Sequence, residues 1–138
     1  MSVMNVTKDN FREQVLNNPK TVLLDFWAPW CGPCRMVAPI VEAIAEDRED
    51  IVLGKVNVDE EIELAIRFGV ASIPTLVVME GGEVKAKSIG YAPREEIELA
   101  MEFKVASIPT LVVMKNGTVS AKTIGYCPRE EIEALLTK

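Results

Sequence analysis

Trp30-Cys31-Gly32-Pro33-Cys34 places two thiols close together, after an apolar run at 21–27 and before a segment with the apolar spacing of a helix at 35–46. Cysteines in this C-x-x-C spacing can form half of a metal site, cycle between dithiol and disulfide, or be inert structural thiols. A tetrahedral zinc site needs further Cys or His ligands, but the chain has no histidine and only one other cysteine. Gly32 and Pro33 are typical of a tight, exposed turn and not of a core. The motif therefore favours redox chemistry.

The position of Cys31 explains how its thiol would be activated. At the start of the following helix, the sulfur would face unpaired backbone N–H groups and the positive end of the helix dipole, and both favour thiolate over thiol. The thiolate is the nucleophile of thiol–disulfide exchange. Cys34 is expected one turn further along, on the same side and less exposed, as the thiol that resolves a mixed disulfide. A Cys–His pair is excluded because the chain has no histidine.

Composition indicates one globular domain. The 138 residues, 49% of them hydrophobic, suffice for one good core and are short for two domains. No apolar run approaches the ~20 residues of a membrane span. A net charge of −6 disfavours nucleic acid and anionic membrane surfaces as partners. Residues 1–10 lack the apolar segment of a signal peptide, so we expect a cytoplasmic, reducing location. No cofactor and no metal are expected.

Apolar patterns in the N-terminal half predict alternating strands and helices. We expect strands at 4–6, 21–27 and 51–58 and helices at 10–16 and 35–46. Strands that alternate with helices in this way form parallel sheets with helical crossovers. The N-terminal half therefore predicts an α/β fold.

Two charged residues interrupt the predicted strands. Asp25 either tips into solvent at the end of its strand or is a buried acid below the thiols, where burial would raise its pKa and let it move protons near neutral pH. Lys55 either extends its ammonium group to the sheet edge or pairs with Asp25 and assists proton transfer. We assign both residues to the candidate catalytic site, together with Cys31 and Cys34.

Residues 25–36, Asp-Phe-Trp-Ala-Pro-Trp-Cys-Gly-Pro-Cys-Arg-Met, closely resemble the active-site signature of the thioredoxin family. Val56-Asn57-Val58-Asp59 and Ser72-Ile73-Pro74-Thr75 resemble two further landmarks of that family at suitable spacing. The resemblance covers nearly the whole chain. It implies a thioredoxin-like, three-layer α/β fold, in which a mixed central sheet is flanked by helices on both faces.

The resemblance also implies a substrate site and partners. The bond before Pro74 would be cis, and this loop would abut the thiols and leave neighbouring backbone groups free to pair with a bound strand. Disulfide-containing proteins would be the substrates, and a flavoprotein reductase would recharge the Cys31–Cys34 disulfide. The residues assigned to substrate binding are Trp30, Gly32, Pro33, Ile73, Pro74 and Gly90.

The C-terminal third of the chain is present twice. Residues 62–96 and 97–131 are identical at 26 of 35 positions, and removal of one copy leaves 103 residues. Because a solenoid generally needs three or more units, we interpret the repeat as a partial duplication of an α-β-β-α unit. We predict a thioredoxin-like domain at 1–96, completed by a helix at 93–104. A second hairpin and helix at 97–138 would pack on that domain or extend its sheet.

Only one copy can complete the single N-terminal half of the domain. Gly69 ends the helix of the first copy, where glycine suits a left-handed cap. Lys104 holds the matching position in the second copy and would cost about 1 kcal/mol in that conformation. This difference favours Pro74 over Pro109 beside the thiols.

The second copy leaves an apolar strand at 110–114 that cannot remain bare in water. We expect it to extend the sheet of its own chain, giving a monomer. The alternative is a swapped or edge-paired dimer. Cys127, which replaces Ala92 of the first copy, is expected to be an ordinary free thiol and not a third redox site.

Together these features predict a thiol–disulfide oxidoreductase that reduces protein disulfides, with Cys31 attacking and Cys34 resolving. One alternative is an interaction module in which the extra unit blocks the substrate groove. Another is a duplicated or engineered variant in which the extra unit has no role of its own.

Overall fold

The computed structural model describes residues 3–103, 110–115 and 117–124, with Arg129, Glu133, Ala134 and Leu136. The strands are β1 Val3–Asn5, β2 Thr21–Trp27, β3 Ile51–Asn57, β4 Thr75–Glu80, β5 Glu83–Ile89, β6 Thr110–Lys115 and β7 Thr118–Ile124. The helices are α1 Gly32–Asp47, α2 Ile62–Arg67 and α3 Arg94–Phe103, and a short π-helical segment spans Arg12–Leu16. Pro109, Cys127 and most of the second copy's predicted final helix lie outside the described residues.

β2 lies at the centre of a five-stranded sheet of order β1-β3-β2-β4-β5. β1, β3 and β2 are parallel, as the alternation of strands and helices predicts. β4 runs antiparallel to β2, and β5 antiparallel to β4. The tight turn between β4 and β5 is made by Gly81 and Gly82, whose φ angles are 58° and 81°. The sheet is therefore mixed, as the resemblance implies.

Helices cover both faces of this sheet. α1 and α3 pack on one face through a core that includes Leu23 and Leu53. The π-helical segment and α2 pack on the other face, around Leu24 and Phe26. Since successive side chains of a strand point to opposite faces, Asp25 shares the α1 face with Leu23. Lys55 likewise shares that face with Leu53.

The first predicted helix has a different form from the one expected. Within 10–16 the backbone is π-helical from Arg12 to Leu16, and the N–H of Asn17 donates to the Arg12 carbonyl at 2.9 Å. Phe11 and Val15 are nevertheless buried, at 3% and 1% exposure. Apolar spacing predicted which side chains enter the core but does not specify the hydrogen-bond period of so short a segment.

The first copy of the repeat occupies the sheet. α2 closes with the N–H of Gly69 donating to the Ile66 carbonyl (3.0 Å) and that of Val70 to the Ala65 carbonyl (2.9 Å). This pairing requires a left-handed residue after the helix, and Gly69 has φ 63°. The chain then reaches β4, beside β2.

Among the described residues, β6 and β7 pair only with each other, in a separate two-stranded sheet. The expectation that the second copy extends the main sheet is therefore wrong for this hairpin. β5, one of the two edge strands of this sheet, carries Glu83, Lys85 and Lys87, and charges on an edge strand oppose the addition of another strand. No helix of the described residues is both long and apolar enough to cross a membrane.

Gly54 provides a test of the packing between β1, β2 and β3. A Cβ at this position would lie 2.9 Å from Val6 Cγ2 and 3.0 Å from Leu24 Cδ2. Gly54→Ala should therefore lower the free energy of unfolding by about 1–3 kcal/mol through overpacking. Gly32→Ala is the matched control because nothing lies within 4 Å of its added Cβ. Denaturant unfolding of the two variants should separate them, and equal stabilities would contradict the packing.

Candidate active site

The two cysteines of the motif lie at the junction of β2 and α1. The N–H of Cys31 donates to the Ala28 carbonyl at 3.2 Å, which closes the turn after the strand. Cys31 then caps α1, since its Sγ accepts the N–H of Cys34 at 3.2 Å. Pro33 occupies the first turn, where no helical partner is needed for a backbone N–H. The sulfurs of Cys31 and Cys34 are joined in a disulfide at this helix start.

Both cysteines are buried. Cys31 is 4% exposed and Cys34 is 3% exposed, so the expected contrast between them is not present in the disulfide form. Ala28 is buried with them, and Ile73 packs against the same cluster. The Ile73 carbonyl oxygen lies 3.7 Å from Cys31 Sγ. Cys31 is thus covered by a loop distant in sequence, a contact that the motif alone does not reveal.

The Ile73–Pro74 loop is fixed beside the disulfide. The bond between these residues is cis. The Pro74 carbonyl accepts the N–H of Gly90 at 2.8 Å, and Gly90 has φ 85°. Thr75 Oγ1 donates to the Ser72 carbonyl at 2.6 Å. The structure therefore brings together Ile73, Pro74 and Gly90, which the resemblance assigned to one site.

An apolar groove of about 350 Å³ runs next to this loop. Trp30 forms part of its wall, is 68% exposed and donates from Nε1 to Asp59 Oδ2 at 3.0 Å. Gly32 and Pro33 are exposed nearby, as expected. The groove is lined by Trp30, Val58, Ala65, Val70, Ala71, Ser72 and Ile73. Ala65, Val70 and Ala71 were not assigned to this site from sequence. Val58 and Ser72 lie in the two quoted landmarks but were not assigned to substrate binding either.

Asp25 and Lys55 form a largely buried ion pair on the α1 face of the sheet. Asp25 is 1% exposed, and its Oδ2 lies 3.7 Å from Lys55 Nζ. The ammonium group also lies 3.9 Å from Glu42 Oε1 and 5.0 Å from the centre of the Trp27 ring. Asp25 therefore does not tip into solvent, and Lys55 points to its neighbour on the adjacent strand.

The environment of Asp25 favours its protonated form. Burial raises the pKa of Asp25 to about 6, while the positive charge of Lys55 acts in the opposite direction. Neither carboxylate oxygen has a hydrogen-bond partner among the described residues. A carboxyl group with such a pKa can gain or lose a proton close to neutral pH.

Strand geometry relates Asp25 to the cysteines. Asp25 shares the α1 face of β2, and β2 leads from there directly to the turn that carries Cys31. α1 returns over the same face with Cys34, Val37 and Val41 buried. Asp25 therefore lies on the face of the sheet covered by the helix that bears Cys34. Among the described residues, no group of three or more Asp, Glu, Cys or His side chains could hold a metal ion.

A sequence model of the Thioredoxin family matches residues 2–102. The chain belongs to the thioredoxin family. A thioredoxin of Porphyra purpurea is 50% identical over 95 residues, covering 68% of this chain and 89% of that protein. One from Alicyclobacillus acidocaldarius is 47% identical over 95 residues (68% and 90%), and Thioredoxin 1 of a Nostoc strain is 48% identical over 90 residues (64% and 84%).

The protein is accordingly a thiol–disulfide oxidoreductase of the thioredoxin family. The family match includes the five-stranded sheet and almost all of α3, and it ends before β6. The second hairpin is thus additional to the region that the family model matches.

The buried carboxyl group of Asp25 makes stability depend on pH. Folding raises its pKa from 3.8 to about 6, so the folded protein binds this proton more tightly than the unfolded chain. The contribution of Asp25 to the free energy of unfolding should therefore fall by about 3 kcal/mol as pH rises from about 4 to 7. Asp25→Asn should remove this decline, and the variant should gain stability relative to the wild type across that range.

Denaturant unfolding of the oxidised proteins at several pH values measures the difference. Lys55→Met is the informative companion variant, because losing the cation that lowers the pKa of Asp25 should extend the decline to higher pH. A stability difference between wild type and Asp25→Asn that is constant with pH would contradict this account.

Proposed function

We propose that the protein reduces disulfide bonds in protein substrates by cycling Cys31 and Cys34 of the C-G-P-C motif between dithiol and disulfide. The observation that carries the proposal is the location of this sulfur pair, at the N-terminus of α1 and against the Ile73–Pro74 loop. The N–H groups at a helix start stabilise negative charge, and that charge is borne by an attacking thiolate.

The reaction balances as two exchanges. The Cys31 thiolate attacks one sulfur of the substrate disulfide, which releases one substrate thiolate and leaves a mixed disulfide. The Cys34 thiolate then attacks Cys31 Sγ, which releases the second substrate thiolate and forms the Cys31–Cys34 bond. The substrate gains two electrons and two protons, and the protein loses them. The second attack is intramolecular, because the sulfurs of Cys31 and Cys34 are within bonding reach of each other.

Asp25 is proposed to accept the proton of Cys34 as that thiol becomes the second nucleophile. The support is its burial on the α1 face of the sheet together with its pKa of about 6, which suits proton exchange near neutral pH. Lys55 would stabilise the ionised carboxylate from 3.7 Å. Glu42, at 3.9 Å from the same ammonium group, would weaken that stabilisation.

The groove beside Trp30 is proposed to bind an extended segment of the substrate. Its apolar walls and the loop at Ile73, Pro74 and Gly90 suit a peptide that pairs through its backbone. Trp30 is 68% exposed, which favours an accessible groove over the alternative in which the second copy blocks it. Gly32 and Pro33 would contribute to the same surface.

Further proposals follow from family membership. A flavoprotein reductase would return the disulfide to the dithiol, and a reducing cytoplasm would suit the cycle. The repeat is proposed to be a duplication of the unit that carries β4 and β5, attached to a monomeric domain. The sequence identity between the copies supports the duplication.

The assignment of roles to the cysteines can be tested by insulin reduction with dithiothreitol as electron donor. Cys31→Ser should reduce turnover to the uncatalysed background because no nucleophile remains to attack the substrate. Cys34→Ser should instead accumulate a mixed disulfide through Cys31, detectable as a mass increase on non-reducing analysis.

Cys127→Ser is the matched control and should keep wild-type turnover, since it removes a thiol outside the motif. Turnover in Cys31→Ser at the wild-type rate, or its loss in Cys127→Ser, would exclude the proposed assignment. An inactive wild-type protein with all three cysteines intact would exclude the reductase itself.

A further inference from the structure

The two hairpins of the chain have the same backbone design. β4 and β5 pair in a register that β6 and β7 repeat 35 residues later, with Val77 opposite Lys87 and Val112 opposite Lys122. Each hairpin also has its register shift at the same point, between Val and Met. The two hairpins therefore have the same backbone register at corresponding positions.

Their surroundings differ. Met79 of β4 is 3% exposed, whereas Met114 at the corresponding position of β6 is 45% exposed. The strands begin with the same five residues, Thr-Leu-Val-Val-Met. β4 lies between β2 and β5 in the five-stranded sheet, whereas β6 belongs to a two-stranded sheet, which is at best marginally stable by itself. β6 thus has the apolar composition of an interior strand, but among the described residues it pairs with β7 alone.

α3 carries an apolar position that its present packing leaves in solvent. It packs on the sheet through Ile97, Ala100 and Met101, while Leu99 is 51% exposed. In the repeat, Leu99 corresponds to Leu64 of α2, which is 4% exposed. α3 therefore has the buried face that packs on the sheet as the last helix of the domain. It also carries Leu99, which would be buried if α3 occupied the position of α2.

We propose that the β6–β7 hairpin is a second occupant of the site on β2 that now holds β4 and β5. In the exchanged arrangement β6 pairs with β2, and α3 takes the place of α2 with Leu99 buried. Residues 62–96 form an insertion between β3 and α3. The sequence after β7 supplies the closing helix, where the ion pair of Arg129 with Glu133 repeats that of Arg94 with Glu98. This proposal concerns the fold and does not depend on the proposed function.

Contacts of the first copy explain why β4 and β5 are the occupants observed. Gly69 adopts φ 63° at the end of α2, whereas the second copy has Lys104 there. Thr21 Oγ1 donates to Glu80 at 3.3 Å, and the second copy has Lys115. Arg67 lies over the Phe11 ring at 4.7 Å, and Glu102 would replace it.

The position of the extra residues in the chain also favours β4 and β5 as the occupants. In the arrangement observed, the extra residues follow the domain, whereas in the exchanged one they form a loop within it. Closing that loop adds an entropic cost that grows slowly with its length. The exchanged form is therefore the minor one in the wild-type chain. Destabilising the packing of β4 and β5 on the sheet should increase its population.

Val77→Asp tests the exchange in the full-length oxidised protein. Val77 is 1% exposed in the centre of β4, so an unpaired carboxylate there should expel this hairpin from the sheet. If β6 can replace β4, the variant should keep a wild-type far-UV circular dichroism spectrum and a cooperative unfolding transition, at lower denaturant concentration than the wild type. Val77→Asp/Val112→Asp, in which both hairpins carry the change, should lose the transition.

Val112→Asp alone is the matched control and should unfold like the wild type, because β6 is outside the main sheet. Hydrogen exchange should show the protected strand moving from 75–80 in the wild type to 110–115 in Val77→Asp. The proposal is overturned if Val77→Asp is as unfolded as the double variant, if the double variant also stays folded, or if Val112→Asp alone abolishes folding. Protection that stays at 75–80 in a folded Val77→Asp overturns it as well. No outcome depends on insulin reduction, so the reductase proposal stands or fails separately.

Discussion

The hydrogen bond from the Cys34 N–H to Cys31 Sγ joins folding to chemistry in this protein. Every helix start needs acceptors for its free N–H groups, and here a sulfur takes the place of the usual Ser, Thr, Asp or Asn oxygen. The Cys34 N–H, which Cys31 Sγ caps, is thus directed at the atom proposed to carry negative charge during catalysis. A serine could replace the cap, but its hydroxyl could not take part in disulfide exchange. The rest of the fold supports this junction, with β2 before it, α1 after it and the Ile73–Pro74 loop against it.

The burial of Asp25 lowers the stability of the fold but gives its carboxyl group the raised pKa that the proposed proton transfer requires. A carboxyl group at 1% exposure is destabilised in its ionised form, and Lys55 compensates only in part because it also lies near Glu42. A well-packed apolar residue at this position would give a more stable sheet. Strongly perturbed acids of this kind concentrate at functional sites, where the perturbed pKa is the property required. The location of Asp25 on the α1 face makes the proposed role towards Cys34 geometrically reasonable.

Local features of this fold could be predicted from sequence because they depend on local rules. The run from Thr21 to Trp27 is a strand with the bounds expected, and Gly69 has the left-handed backbone expected of it. Contacts between distant segments were less accessible. The family resemblance placed the Pro74 loop against the thiols, but the packing of Ile73 on Cys31 and the hydrogen bond from Trp30 to Asp59 are seen only in the structure. The quoted landmarks contained both partners, but spacing along a chain does not reveal which atoms meet.

The repeat shows most clearly where such prediction ends. β4 and β6 share five consecutive residues and one register, yet β4 is an interior strand of the main sheet and β6 lies in a separate hairpin. No propensity or hydrophobic pattern within the five shared residues can distinguish the two strands, because these residues are identical. The difference must come from the last strand residue, Glu80 or Lys115, from residues outside the strands such as Gly69, and from the order of the two copies along the chain. A strand's own sequence therefore makes it suitable for a place beside β2, while the caps, side-chain contacts and loop lengths around it determine which of two suitable strands is there.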